Sequence, residues 1–140
     1  MIKQLGLGIL ALGLAVNTYA LNKNLVDLDS NFWGSWSVYN SKNKCTETYQ
    51  FLKPGKLNYI GKQKKMTGEF AVLRSKEDNL LDVLAIKIET DNQKPGCGVE
   101  KVNYTNSDIR LSLKWISPKT AELCTDAEGK QCSGLYLIKN

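Results

Sequence analysis

The chain has 140 residues, 19 basic and 14 acidic side chains, a formal net charge of +5 and no histidine. This length is enough for one domain with its own core, and so modest a charge argues against nucleic-acid binding. Without histidine, Ser-His-Asp and Cys-His catalysis are excluded, and so is the commonest metal ligand. We therefore expect a protein that is not an enzyme and that has neither a cofactor nor a metal site.

Residues 1–20 predict a secretory signal peptide. Lys3 gives a positive start, an uncharged apolar run extends from Leu5 to Val16, and the small residue Ala20 ends a suitable cleavage site. The apolar run, about a dozen residues, is too short to span a bilayer. The first cysteine is Cys45, so no lipid-bearing cysteine follows the run. We expect cleavage near Ala20, a single domain over residues 21–140, no membrane span, and a periplasmic or secreted location.

Alternation with a period of two predicts β-strands along most of the remaining chain, after a short helical turn within residues 22–30. The predicted strands cover 32–39, 80–89 and 109–115 and the segments around Tyr49, Leu57, Phe70 and Tyr136. Their connections, such as Lys53-Pro54-Gly55-Lys56, are too short for crossover helices, which favours antiparallel pairing. We expect an all-β fold of eight or nine antiparallel strands in a meander closed as a small barrel, since closure removes exposed edges. The alternative is a two-sheet β-sandwich.

Four cysteines in an exported chain predict two disulfides. The segment between Cys124 and Cys132 contains turn-forming residues, and a hairpin would place these two cysteines opposite each other. Cys45–Cys97 follows by elimination. A zinc site is the competing interpretation, but no pair has the short spacing of structural zinc ligands.

Gly34-Ser35-Trp36 resembles the G-x-W motif that opens the first strand of lipocalins and related calycin barrels. The resemblance implies that Trp36 plugs the closed end of the barrel and that Gly34 lets the chain bend beside it. Lipocalins often place an arginine over this tryptophan, and here Lys139 or Arg110 would have to serve. The chain is shorter than an ordinary lipocalin and ends on a predicted strand, which leaves no room for the usual late helix.

Asp82 is the acidic residue that falls on the apolar face of a predicted strand; the other acids mostly lie in turns. A carboxylate on such a face is a candidate functional group, although we favour a strand-end residue in contact with solvent.

A group of lysines flanks the hairpin that carries Tyr59. We expect this hairpin to gather several of them at one end beside the aromatic ring, as a candidate site for anionic glycans, lipids or an acidic protein surface. The alternative is a solvated hairpin whose lysines oppose edge-to-edge aggregation. The candidate binding residues are Lys53, Lys56, Tyr59, Lys62, Lys64 and Lys65.

The aromatic residues either line a cavity for an apolar ligand or fill the barrel outright, and we favour filling. They are Trp33, Trp36, Tyr49, Phe51, Tyr59, Phe70, Tyr104, Trp115 and Tyr136. The function we expect is binding through loops to a macromolecule, such as an envelope component or an enzyme or toxin that it inhibits. The alternative is a carrier of a small apolar ligand, and an empty cavity above about 300 Å³ would favour it.

Overall fold

Eight antiparallel strands close into a barrel in the computed structural model, which describes residues 20–98 and 101–140. The strands are β1 Gly34–Asn40, β2 Cys45–Leu52, β3 Lys56–Gly61, β4 Lys64–Leu73, β5 Asp82–Asp91, β6 Asp108–Ser117, β7 Thr120–Cys124 and β8 Cys132–Lys139. Each strand pairs with its neighbour in sequence, and β1 pairs with β8 to close the barrel. The predicted meander barrel is confirmed, and the sandwich alternative is wrong. The predicted signal peptide lies outside the described residues apart from Ala20.

The period-two pattern of the strands decides which side chains face the interior. In β5, Asp82, Leu84, Ile86 and Ile88 are buried, whereas Lys87 between the last two is exposed. The same alternation in the other strands turns a mainly apolar row inward, whereas the outward rows contain both polar and apolar side chains. The core therefore lies inside the barrel, and its tryptophans and phenylalanines are concentrated at one end.

A short N-terminal segment covers that end. It contains a 3₁₀ helix, Lys23–Leu25, and a helical turn, α1 (Leu28–Asn31), so the predicted helical turn is confirmed. The Asp27 carboxylate caps α1 by accepting hydrogen bonds from the backbone amides of Asp29 and Ser30. Phe32 belongs to this segment and is buried; β1 begins two residues later than predicted, at Gly34, whose φ of +119° suits glycine.

Trp36 lies at the bottom of the interior and closes the barrel. Its indole nitrogen donates a 2.8 Å hydrogen bond to the backbone carbonyl of Phe32, and its ring is fully buried. Phe32 packs against Trp36 and Phe51, with ring centroids 5.3 and 4.7 Å apart. The ammonium of Lys139 lies 5.9 Å from the Trp36 ring centroid, so Lys139 takes the position over the tryptophan.

Asp82 is a buried member of this closed end, so the prediction of a solvent-exposed position is wrong. Its carboxylate accepts hydrogen bonds from Arg74 Nε and Nη2, at 3.0 and 2.8 Å, and from the indole nitrogen of Trp115 at 2.8 Å. Arg74 also donates to the backbone carbonyls of Val26 and Lys23. A paired and hydrogen-bonded carboxylate can be buried at low cost, and this one ties β5 to the N-terminal segment.

Both predicted disulfides are present. Cys124 and Cys132 stand opposite each other in the β7–β8 pairing, and Cys45 at the start of β2 is joined to Cys97 in the loop that follows β5. No helix among the described residues is long and apolar enough to cross a membrane.

Candidate functional site

The opposite, open end of the barrel contains a cavity of about 380 Å³. Three tyrosines contribute to its lining, together with Met66, Ile109, one carboxylate, one ammonium and a loop segment. The full lining consists of Glu47, Tyr49, Tyr59, Lys64, Met66, Gly96, Cys97, Gly98, Tyr104 and Ile109. Volumes of this order are typical of small-ligand pockets, which combine mostly apolar walls with a few polar groups.

Strand alternation places the side chains of this cavity. Glu47 and Tyr49 belong to the inward row of β2, which continues to the fully buried Phe51. Tyr59 of β3 is paired with Tyr49 across the sheet, and the two ring centroids are 5.1 Å apart at 74°. Below them, Phe51 and Phe70 stand with ring centroids 4.7 Å apart and separate the cavity from Trp36. The interior is thus filled at the closed end and hollow at the open end.

Glu47 is the acidic group inside this cavity. Its carboxylate accepts a 2.8 Å hydrogen bond from the hydroxyl of Tyr49. Burial raises the pKa of the Tyr49 hydroxyl well above its usual value, and the negative charge of Glu47 raises it further. The same two causes, in the same order, raise the pKa of Tyr59. Both phenols therefore remain protonated, as hydrogen-bond donors beside a carboxylate.

Lys64 and Asp91 form a buried ion pair at the wall of the cavity. The Lys64 ammonium donates to both Asp91 oxygens at 2.8 and 2.9 Å and to the backbone carbonyl of Val102 at 3.1 Å. Burial would raise the pKa of Asp91, but the hydrogen bonds from Lys64 and from the backbone amides of Tyr104 and Gln93 leave it below its usual value. All three ammonium hydrogens of Lys64 have acceptors, so this cation is already engaged within the protein.

The loop between β5 and β6 forms part of the cavity rim, and covalent and hydrogen-bonding contacts hold it there. The disulfide from Cys45 fixes Cys97, and the Asn43 side-chain amide donates a 2.9 Å hydrogen bond to the Cys97 carbonyl. The backbone amide of Tyr104 donates to Asp91, which brings the Tyr104 ring within 5.5 Å of the Lys64 ammonium. The rim is therefore anchored to β2 and to β4 and β5 by covalent and ionic contacts.

The predicted gathering of lysines at one end of the hairpin is wrong. Lys53 and Lys56 lie at the closed end of β3, whereas Lys62 and Lys65 follow its other end, roughly 17 Å away for a six-residue strand. Lys53 lies over the ring of Trp33, 5.6 Å from its centroid, and Lys56 pairs with Glu69. The remaining two residues of the group, Lys64 and Tyr59, point into the barrel and are buried.

Sequence reasoning missed Glu47 and Asp91, although a signal for the first was present. Glu47 lies two residues before Tyr49 and four before Phe51, so the alternation that placed those rings inside also places Glu47 inside. Asp91 could not be found this way because its partner, Lys64, is 27 residues away. Tyr136 was expected with the interior aromatics but lies on the outer face of β8, 40 % exposed.

A second, more open space of about 470 Å³ lies along β4, β5 and β6. Ala71 and Ala85 face each other across β4 and β5 there, and the charged side chains around them include Lys87 and Arg110. The small side chains of Ala71 and Ala85 leave a groove on the outer surface. This groove lacks the enclosed aromatic walls of the interior cavity. Among residues 20–98 and 101–140, no group of three or more acidic or cysteine side chains could hold a metal ion.

Comparisons of the chain with protein families, with curated proteins and with solved structures give no match. The eight-stranded barrel and the position of Trp36 are consistent with a lipocalin-like architecture. Membership of the lipocalin family remains a prediction from the Gly34 and Trp36 motif. The function has to be argued from the cavity itself.

Proposed function

We propose that this protein binds a small, largely apolar ligand in the cavity at the open end of the barrel. The observation that carries the proposal is the cavity of about 380 Å³ with three tyrosines in its lining. This volume lies within the roughly 300–1,000 Å³ that is usual for small-ligand pockets. The site sits in the mouth of a β-barrel, one of the usual places for such ligands.

The remaining features support an exported binder rather than an enzyme. Two disulfides in a chain of this size are in line with an oxidising compartment, as for a periplasmic or secreted protein. The chain has no histidine, and its four cysteines are all paired. Tyr49 and Tyr59 are held as protonated donors, which suits recognition of a bound molecule better than proton transfer at neutral pH.

Titration with N-phenyl-1-naphthylamine, an uncharged dye that fluoresces in apolar surroundings, tests this function. We expect saturable binding to the wild-type protein and loss of binding in Ile109→Trp, whose larger side chain occupies the cavity. Ala71→Trp is the matched control, since it adds the same side chain to the outer groove. Absence of saturable binding, or loss in the control alone, would contradict the proposal.

Recognition of a macromolecule is the second candidate, and an exposed apolar patch favours it. Tyr39 on β1 and Tyr136 and Ile138 on β8 are 54 %, 40 % and 46 % exposed on the outside of adjoining strands. If a protein or envelope component docks on this patch, its binding should be lost in Tyr136→Ser and retained in Ile109→Trp. The reverse result would favour the cavity.

A further inference from the structure

We propose, on the basis of the ligand-binding function above, that the ligand is an organic ammonium ion with an aromatic or apolar body. Its positive charge would lie against the Glu47 carboxylate, and its apolar body would extend toward Met66 and Ile109. The inference depends on the charge of the cavity, on its aromatic lining and on the state of its one lysine.

The charges at the cavity leave one carboxylate unbalanced. Lys64 and Asp91 neutralise each other within hydrogen-bond distance. Glu47, which also lines the cavity, has no ion-pair partner among the described residues; its carboxylate accepts a 2.8 Å hydrogen bond from Tyr49 and lies close to the hydroxyl of Tyr59. The cavity is thus locally negative in a protein whose net charge is +5. A partly buried carboxylate with free lone pairs favours a cationic partner over a neutral or anionic one.

The aromatic lining suits the same kind of ligand. Tyrosine rings attract ammonium groups through their negative faces, and groups of such rings beside a carboxylate recognise organic cations. The molecule itself shows this contact, since the Lys64 ammonium lies 5.5 Å from the centroid of Tyr104. Tyr49 and Tyr59 form an aromatic corner on the Glu47 side of the cavity, where Gly61 is paired with Glu47 and leaves room for the Tyr59 hydroxyl.

An anionic ligand has no comparable partner in the cavity. Among the described residues that line the cavity, the ammonium group belongs to Lys64, which already gives its hydrogens to Asp91 and to the Val102 carbonyl. An anion would have to break that buried ion pair and would also lie near Glu47. The charges at the cavity therefore favour a cationic ligand over an anionic one.

Displacement of the bound dye by three molecules of one shape tests the inference. Phenethylammonium, 2-phenylethanol and phenylacetate share a phenyl body and differ in carrying a positive, a zero and a negative charge. In the wild-type protein we expect phenethylammonium to displace N-phenyl-1-naphthylamine at a concentration about ten-fold lower than 2-phenylethanol, with phenylacetate weakest. Equal or better displacement by 2-phenylethanol or phenylacetate would overturn the ammonium assignment.

Glu47→Gln isolates the charge, because glutamine keeps the size of the side chain and can still accept a hydrogen bond from Tyr49. We expect the ten-fold preference to fall to about one-fold while displacement by 2-phenylethanol stays the same. Glu89→Gln is the matched control: Glu89 is exposed on the outside of β5, and the preference should persist there. A preference that survives in Glu47→Gln would also overturn the assignment. Dye binding with no charge preference leaves the binding function standing, whereas no dye binding at all removes both.

Discussion

The indole nitrogen of Trp115 donates a 2.8 Å hydrogen bond to Asp82, and both side chains are almost completely buried. Arg74 completes the arrangement with two further hydrogen bonds to the same carboxylate. The closed end of the barrel is therefore built around a paired charge. Removal of either partner of such a buried pair should strongly lower the stability of the protein.

Arg74→Met should strongly destabilise the protein. The substitution leaves Asp82 buried without its cation and removes donors to the Val26 and Lys23 carbonyls. Breaking a buried pair in this way costs about 3–5 kcal/mol of unfolding free energy, measurable by urea denaturation. Arg110→Met, at an exposed position of β6, should change the stability by less than about 0.5 kcal/mol. Equal effects of the two substitutions would contradict this account of the closed end.

Asp91→Asn should reduce stability most at neutral pH and least in acid. The pKa of Asp91 lies below its ordinary value of 3.8 in the folded protein, so the folded state holds fewer protons on this group than the unfolded state. Its contribution is complete above about pH 4 and is lost as the pH falls through the lowered pKa. The difference in unfolding free energy between wild type and variant should therefore shrink as the pH falls from about 4 to about 2. A difference in unfolding free energy that stays constant with pH would contradict this role of Asp91.

Tyr49 and Tyr59 should resist ionisation in alkaline solution. Burial and the charge of Glu47 raise the pKa of both hydroxyls, so both should remain protonated beyond about pH 11, one unit above the ordinary tyrosine value. Tyrosinate absorbance followed against pH measures this directly. In Glu47→Gln the late part of the titration should move to lower pH, because one of the two causes is gone. Superimposable curves would show that Glu47 does not act on these rings.

The two disulfides should differ in how much each contributes to the free energy of unfolding. Removing Cys45–Cys97, which spans 52 positions, should cost about 4 kcal/mol, and removing Cys124–Cys132, which spans 8, about 2.5 kcal/mol by the loop-entropy relation. The double alanine variants compared by denaturation give both values. Only the first pair should also weaken dye binding, since Cys97 lines the cavity. Weaker dye binding in the Cys124/Cys132 variant alone would contradict the placement of Cys97 at the rim of the dye-binding cavity.

Local patterns in the sequence were enough to predict the barrel and the Cys124–Cys132 disulfide, with Cys45–Cys97 following by elimination. The position of Trp36 was predicted from the resemblance of Gly34-Ser35-Trp36 to the lipocalin motif. Alternation fixes which residues share a face, and the turn before Cys132 brings two nearby cysteines together. The charge pairs could not be predicted, because closure of the barrel decides them. Arg74 meets Asp82 across a loop, and Lys64 meets Asp91 across two paired strands. The lysine hypothesis failed for the same reason: β3 separates residues that are close in sequence.

The cavity also depends on how the aromatic rings distribute along the barrel. Phe32, which enters from the N-terminal segment, packs on Phe51 and fills the closed end. Tyr49, Tyr59 and Tyr104 are left at the open end, together with Glu47, which lies on β2 like Tyr49. Counting aromatic residues predicts a filled interior, whereas their placement leaves a cavity of about 380 Å³ at the open end.

Amide chemical shifts of the isotopically labelled protein, recorded while N-phenyl-1-naphthylamine is added, test the central claim most directly. The account predicts saturable shifts concentrated at the residues of the cavity, above all Glu47, Tyr49, Tyr59 and Tyr104. Shifts confined to Ala71, Ala85 and the outer groove, or to Tyr136 and Ile138, would contradict it.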